Sequence, residues 1–345
     1  MTIQIAERGP IMSIAVAPEY RVPKPSRPSL AMLGLNRVAI TLLSVELVLI
    51  ALSSVLYPLL GLSLVVQGVW QIFLIPMAPL LLWIYLAREP GRSPWDWAVA
   101  DRMLALATFC ILSMALPQFQ YIGLAFKRPL IDEWLVWSDS MMRVNLVEWT
   151  GWSRQHVWFM RWLIVAYASF GQQLCLPLVA LGIRNAKDRA ALWEYLFHLT
   201  MCSTFTILVF ALLPSNSSST LYNFQPVFSQ TTVVKHIAEM RSGQMTRIDF
   251  RILEGLVSFP SMHVAGAMIV TWTFRHKRWL LVPLFVVNVS LIASTLLLGI
   301  HYGIDLIAGA LVFLGSLWAF RRGHYPTALQ SVYAAPMASI GFRKQ

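Results

Sequence analysis

The sequence predicts an all-α fold, a polytopic helical bundle in a membrane, and three observations carry that prediction. Of its 345 residues, 57% are hydrophobic and only 12% are charged, against roughly 25% charged in ordinary soluble domains. The apolar residues gather into segments near the roughly 20 residues that cross a bilayer. The basic residues gather in the short joints between alternate segments. A mean hydropathy of +0.62 agrees. These features exclude a water-soluble enzyme, a disordered chain and a nucleic-acid binder. The net charge of +11, from 27 Lys and Arg against 16 Asp and Glu, then suits cytoplasmic loops rather than DNA contacts.

In chain order, residues 1–36 read as a flexible basic arm near the membrane surface. Five prolines (Pro10, Pro18, Pro23, Pro25 and Pro28) alternate there with Arg8, Arg21, Lys24 and Arg27, and the compact apolar run of a cleavable signal is missing. About eight spans follow, near 37–59, 66–87, 102–124, 157–182, 191–213, 259–275, 278–298 and 301–321. The stretch 278–321 is divided by Gly299, His301, Gly303 and Asp305. This gives two additional spans within 37–100, a six-span core within 101–325, and a tail at 326–345.

An even number of spans puts both termini on one side. That side collects Arg88, Arg92, Arg102, Arg184, Lys187, Arg189, Arg275, Lys277, Arg278, Arg321 and Arg322. By the positive-inside rule it is the cytoplasmic side. The other side holds the 60–65 turn, the 125–156 and 214–257 loops and the turn near 299–301. A bacterial inner membrane is the default location, with the outer side facing the periplasm or cell exterior.

The outer loops carry their own patterns. In 130–149, Ile131, Trp134, Leu135, Met141, Met142 and Leu146 fall roughly at helical spacing, with Asp132, Glu133, Asp139, Arg143 and Glu148 between them. Trp137, Trp149, Trp152 and Trp158 are near. Two readings stay open: a helix lying in the interface, or an aromatic belt anchoring the next span. The 214–257 loop begins with an Asn216-Ser217-Ser218 sequon, a pattern common by chance, and later carries Lys235, His236, Arg241, Arg247 and Arg251. Cys110, Cys175 and Cys202 make neither a disulfide framework nor a metal-ligand spacing. Glu46, Glu194 and His198 are ionisable groups inside spans with no assigned role.

Two segments put ionisable groups at the outer ends of spans, on one face of the membrane, where polar residues are costly and tend to be functional. The first is Ser258-Phe259-Pro260-Ser261-Met262-His263. It reads as a helix start, with Ser258 able to cap and Pro260 suited to the first position, leaving free N–H groups that favour an anion. The second is His301-Tyr302-Gly303-Ile304-Asp305. It also reads as a helix start, with His301 and Asp305 on one face. Asp305 can then accept the Nδ1 proton of His301 and leave Nε2 as a nucleophile. A lone helix-end His or an i,i+4 His–Asp pair is commonly structural; their coincidence on one face is the signal.

With these residues the chain resembles the type 2 phosphatidic acid phosphatase superfamily. Pro260, Ser261, Met262 and His263 match its Pro-Ser-x-His signature, and His301 and Asp305 its last signature. The wording Phe-Pro-Ser-Met-His, then His-Tyr-x-x-Asp-Leu-x-x-Gly ending at Gly309, resembles the inositol phosphorylceramide synthase-like branch. The likeness is strong over 255–315 and weaker over 102–213. The family's upstream basic signature is matched by Lys127, Arg128 and Pro129, but its usual Lys falls at Tyr121. The Arg usual before the last His falls at Thr295.

The resemblance implies a lipid phosphatase or phosphotransferase acting through a phosphohistidine on His301, oriented by Asp305, with His263 moving the proton. It implies that Lys127, Arg128 and Ser261 hold the phosphate; in place of the missing cations, Arg251, Arg247 and Lys235 of the long outer loop are this chain's own candidates. It implies no metal and no cofactor, and a lipid-phosphate substrate as partner. Two other classes fit the same residues: a metal-dependent hydrolase with His263, His301 and Asp305 as ligands, and a lipid transporter without catalysis.

Overall fold

The computed structural model describes residues 36–65, 74–88, 93–222, 224, 227 and 230–334. The expected basic arm, save Asn36, residues 66–73 of the expected 66–87 span and residues 335–345 of the tail lie outside them. The described chain is almost entirely helical. Helix α1 (Arg37–Leu59) has the expected bounds, and Asn36 caps it by accepting the Ala39 N–H at 2.8 Å. It is followed by α2 (Met77–Arg88) and α3 (Pro94–Ala125). Helix α3 starts eight residues before the expected 102. Ser93 and Asp96 form a reciprocal capping box there, with Pro94 in the first turn, where its missing N–H costs nothing.

The region expected as an outer loop over 130–149 is two helices rather than one, α4 (Asp132–Met141) and α5 (Leu146–Gln155). Asn145 caps the second by accepting the Glu148 N–H at 3.1 Å. The expected single span at 157–182 is broken into α6 (Val157–Ala168) and α7 (Phe170–Ala180), bent by 51°. Ser169 sits at the joint and donates to the Ala166 carbonyl at 2.7 Å, while Gln173 donates to the same hydroxyl at 2.9 Å. A serine bonding back to the preceding turn is a known cause of a helix bend.

Helix α8 (Ala186–Leu212) is the hub and touches α1, α3 and the helices over Met262–Thr273 and Gly303–Arg322. Its Leu192, Trp193, Tyr195, Leu196 and Phe197 lie in the main apolar core with Leu42, Leu112, Ile269 and Phe313. The 214–257 loop has structure of its own in its described residues. It forms α9 (Ser218–Tyr222), α10 (Thr231–Ser242), a strand β2 (Arg247–Asp249) pairing in parallel with β1 (Ser63–Val65), and a short 3-10 turn. Next come α11 (Met262–Thr273), α12 (Arg278–Leu297) and α13 (Gly303–Arg322). Part of the expected tail forms α14 (Tyr325–Ala334).

Five of the described helices, or six with α6 and α7 taken as one span, are long and apolar enough to cross a membrane. Helices α2 and α11 are apolar but have 12 residues each. This is an all-α, polytopic membrane bundle. One end of it carries polar pairs that are salt-bridged in place: Lys277 to Asp188 at 2.8 Å and Arg275 to Glu194 at 2.9 Å. Glu194 also lies 3.9 Å from His198, which bonds Ser316 at 3.0 Å, so these two ionisable groups pair locally. Glu46 is buried on α1 with no hydrogen-bond partner among the described residues.

Candidate active site

At the opposite end of the bundle, two chain reversals meet. The first enters α11. Its cap is Ser261 rather than Ser258: the Ser261 hydroxyl accepts the Val264 N–H at 3.4 Å, and the helix starts at Met262 rather than at Pro260. His263 therefore occupies the first turn, as expected. Ser258 instead donates its hydroxyl to Asp305 Oδ2 at 3.0 Å.

The second reversal joins α12 to α13. Gly299 adopts a φ of 72°, a conformation that favours glycine. The Thr295 carbonyl then accepts the N–H groups of both Ile300 and His301 at 3.0 Å. Helix α13 begins only at Gly303, so His301 lies in the turn before it. The i,i+4 relation on a continuous helix is thus corrected, but the pairing itself holds. His301 Nδ1 lies 3.1 Å from Asp305 Oδ2. The Tyr302 N–H donates to the same oxygen at 3.0 Å, as a third helical residue reaching back over a helix start does.

The two reversals are tied together. The Ser261 N–H donates to the Asp305 carbonyl at 3.0 Å. A side chain on Gly309 would strike the Ser261 carbonyl oxygen, so this glycine permits α11 to begin against α13. His301 Nε2 then faces His263 Nδ1 at 3.3 Å and the Ser261 hydroxyl at 3.4 Å. Asp305 is completely buried and His301 is 2% exposed. A carboxylate on Nδ1 fixes the tautomer and leaves Nε2 with its lone pair. His263, His301, Asp305 and Ser261 therefore form one contiguous cluster.

Sequence reasoning did not foresee the walls of this cluster. Tyr167 stacks on the His263 ring at 4.6 Å, and Phe170 lies 4.6 Å away on the same ring. The two flank the Ser169 bend, and no residue spacing could have marked them. Gly266 leaves room for the Phe170 ring. Beyond His263, a cavity of about 430 Å3 opens between α3, α7, α8 and α11, lined by Leu112, Leu116, Phe170, Leu174 and Met262.

The expected phosphate-holding cations are elsewhere in their contacts. Lys127 and Arg128 are exposed just past α3. The Arg128 carbonyl accepts from Arg241, and Lys127 packs beside Gly243. Arg251 is exposed and forks onto Asp249 at 2.9 and 3.0 Å through its Nε. At the position of the usual family Lys, the Tyr121 hydroxyl meets His236 Nδ1 at 2.9 Å and accepts the Glu254 N–H at 3.0 Å. Gln120 accepts the Leu256 N–H at 2.7 Å. Helix α3 thus suspends the segment that leads into Ser258–His263. Thr295 is buried and donates to the Ile292 carbonyl at 2.7 Å.

Among the described residues, no group of three or more His, Cys, Asp or Glu side chains is arranged to hold a metal ion. The sequon asparagine, Asn216, is half-buried, and its backbone N–H donates to both Asp132 oxygens at 2.8 and 3.0 Å. No curated protein and no solved structure matches the chain. A sequence model of the PAP2 superfamily matches residues 133–319, which include the whole His–Asp cluster and more than half of the chain. The chain belongs to the PAP2 superfamily, that of the type 2 phosphatidic acid phosphatases.

Proposed function

We propose that the protein is a metal-independent lipid phosphatase or phosphotransferase that works through a phosphohistidine. The observation that carries this reading is the orientation of His301, with Nδ1 on Asp305 and Nε2 turned towards His263. In the first half-reaction, His301 Nε2 attacks phosphorus and the bond to the lipid oxygen breaks. His263 gives that oxygen a proton. Asp305 balances the positive charge that develops on His301. In the second half-reaction His263 takes a proton from water or an alcohol, whose oxygen attacks phosphorus and releases His301. The arriving phosphate must part the two imidazoles, and its charge favours the protonated form of His263 that the first step needs.

Lys127, Arg128 and Arg251 are proposed phosphate ligands, together with Ser261 and the start of α11. The first three need the phosphate, or a movement of the outer loop, to bring them to the histidines. The Phe-Pro-Ser-Met-His and His-Tyr-x-x-Asp wording supports an inositol phosphorylceramide synthase-like acceptor, an alcohol rather than water. The apolar cavity beside His263 suits the chain of a lipid whose oxygen His263 would serve.

The accompanying topology is eight spans, with α2 and α11 as the two short ones. Both termini are cytoplasmic and the cluster faces the periplasm or cell exterior of a bacterial inner membrane. Residues 1–36 form an arm, 37–100 two added spans, 101–325 the catalytic core and 326–345 a tail.

The test uses detergent-purified protein, phosphorus-labelled lipids and both possible products. Free phosphate alone identifies a phosphatase, and a new labelled lipid identifies a transferase and its acceptor. His301→Ala and Asp305→Asn are each expected to lower turnover by about 10³-fold or more, the scale of losing a member of a nucleophile–orienter pair. Near wild-type turnover in His301→Ala would exclude it as the nucleophile. A labelled His301 trapped by acid-free quenching in the wild type would identify the intermediate directly.

A further inference from the structure

Helix α4 carries two of its three acids, Asp132 and Asp139, on the wrong side for a surface helix, while Glu133 is exposed. Asp132, Leu135 and Asp139 are buried, at 5%, 2% and 0% exposure, whereas Trp134, Trp137 and Met141 on the other faces are 62–74% exposed. A buried carboxylate is costly unless it is hydrogen-bonded, so what these two bind matters. Asp132 Oδ1 accepts the Tyr302 hydroxyl at 2.9 Å. Asp139 Oδ1 accepts the Gly303 N–H at 2.8 Å and its Oδ2 accepts the Tyr222 hydroxyl at 3.2 Å.

Both carboxylates therefore grip the two residues that follow His301. Gly303 begins α13, and its N–H is one of the donors that a helix start leaves without an intrahelical acceptor. Asp139 supplies that acceptor from another helix, at the positive end of the α13 dipole. The approach is close: a Cβ at 303 would lie 3.1 Å from Asp139 Oδ1 and 3.0 Å from Val144, so these side chains would have to give by a few tenths of an ångström. Leu135, Leu146 and Tyr302 form a small apolar cluster under the same turn, joined by Phe259 of the other reversal.

We propose that Asp139, with Asp132 beside it, is a positioning residue, and that α4 is the clamp that sets His301 and Asp305 in register with His263. The inference rests on the phosphoryl-transfer reading for its effect on turnover. Its geometric content, that α4 holds the His301 ring, stands apart from that reading.

The test follows turnover and the reactivity of His301 together in full-length protein in detergent. The probe is diethyl pyrocarbonate, with His301 modification followed by mass spectrometry. Asp139→Ala removes the acceptor of the Gly303 N–H. Its kcat is expected to fall by about 10²-fold with KM little changed, the scale of a small misplacement of a reacting group. His301 is expected to become modified several-fold faster. Asp139→Asn retains an oxygen for Gly303, and most of the loss should be recovered. Tyr302→Phe, which removes one oxygen and leaves the packing, should lower kcat by about 10-fold. It serves as the deciding variant if Asp139→Ala does not fold. Wild-type kcat in these variants, or a fall in kcat with unchanged His301 reactivity, would overturn the proposal. If wild-type protein turns over no lipid phosphate, the functional reading fails, while the reactivity of His301 still decides the positioning role.

Discussion

Asp305 gathers more of the site than any other residue. One oxygen takes the imidazole of His301, the Ser258 hydroxyl and the Tyr302 N–H, and its carbonyl takes the Ser261 N–H. A four-residue spacing between His and Asp made the first of these bonds legible in the sequence. The Tyr302 N–H is equally local, three residues back, whereas the bonds from Ser258 and Ser261 come from a second segment more than 40 positions upstream, which spacing does not encode. Asp139 illustrates the converse case, since an acid on an amphipathic stretch ordinarily reads as solvated. Burial pushes its carboxyl up to about 6 against the bonds from Gly303 and Tyr222 that favour the ionised form, and the nearby Asp305 carboxylate adds to the rise. A carboxyl raised on folding contributes stability that is full below its ordinary value and is lost as pH rises through about 6. Asp139→Asn should therefore flatten the change in thermal stability between about pH 4 and 7. Melting curves of the two proteins in one detergent across that range check it, and parallel curves would show that Asp139 does not titrate there.

At the level of elements, helix existence was legible and helix continuity was not. The apolar run at 157–182 carries Ser169 and Gly171 at its middle, and the bend falls where Ser169 bonds back to Ala166. That bend places Tyr167 and Phe170 against His263, so it belongs to the site as much as to the bundle. The same holds for the start of α11. Pro260 suggested the first helical position, yet Ser258 is taken by Asp305 and the cap passes to Ser261. What brings α11 and α13 together is a glycine contact. Gly309→Ala would put a methyl group onto the Ser261 carbonyl and 3.2 Å from the Val264 Cβ. Overpacking of this kind costs about 1–3 kcal/mol. The expected outcome is a lower melting temperature and a loss of turnover, because the Ser261–Asp305 bond must stretch. Gly315→Ala on the same helix is the control, since its new methyl meets nothing within 4 Å. It should be neutral or stabilising, as alanine is the better helix former by about 1 kcal/mol. Equal behaviour of the two variants would remove the α11–α13 contact from the account.

For the whole molecule, the two ends of the bundle differ in kind. One end holds Asp188, Arg189, Glu194, Arg275 and Lys277, with Lys277 and Arg275 each paired to an acid. The other holds the histidine cluster, α4 with its exposed tryptophans, and the elements α9, α10 and β2 of the 214–257 segment. The basic joints of the sequence fall at the first end, which is the cytoplasmic end in the proposed orientation. The gathering of basic residues at one end was legible in the sequence, because charge is read along the chain without regard to packing. The architecture of the outer segment was not legible, since α10 and β2 gain their order from α3 and β1, which lie far away in sequence. The orientation has a direct test. In a variant with Cys110, Cys175 and Cys202 replaced, single cysteines at Trp137 or Arg143 should react with a membrane-impermeant maleimide on intact cells. A cysteine at Lys187 should react only after permeabilisation. The same orientation requires that a lipid phosphate added from outside reach His301 without crossing the membrane. Labelling with the opposite pattern would turn the histidine cluster to the cytoplasm. It would then also demand a reason for four basic joints to lie outside, which no other feature of this chain supplies.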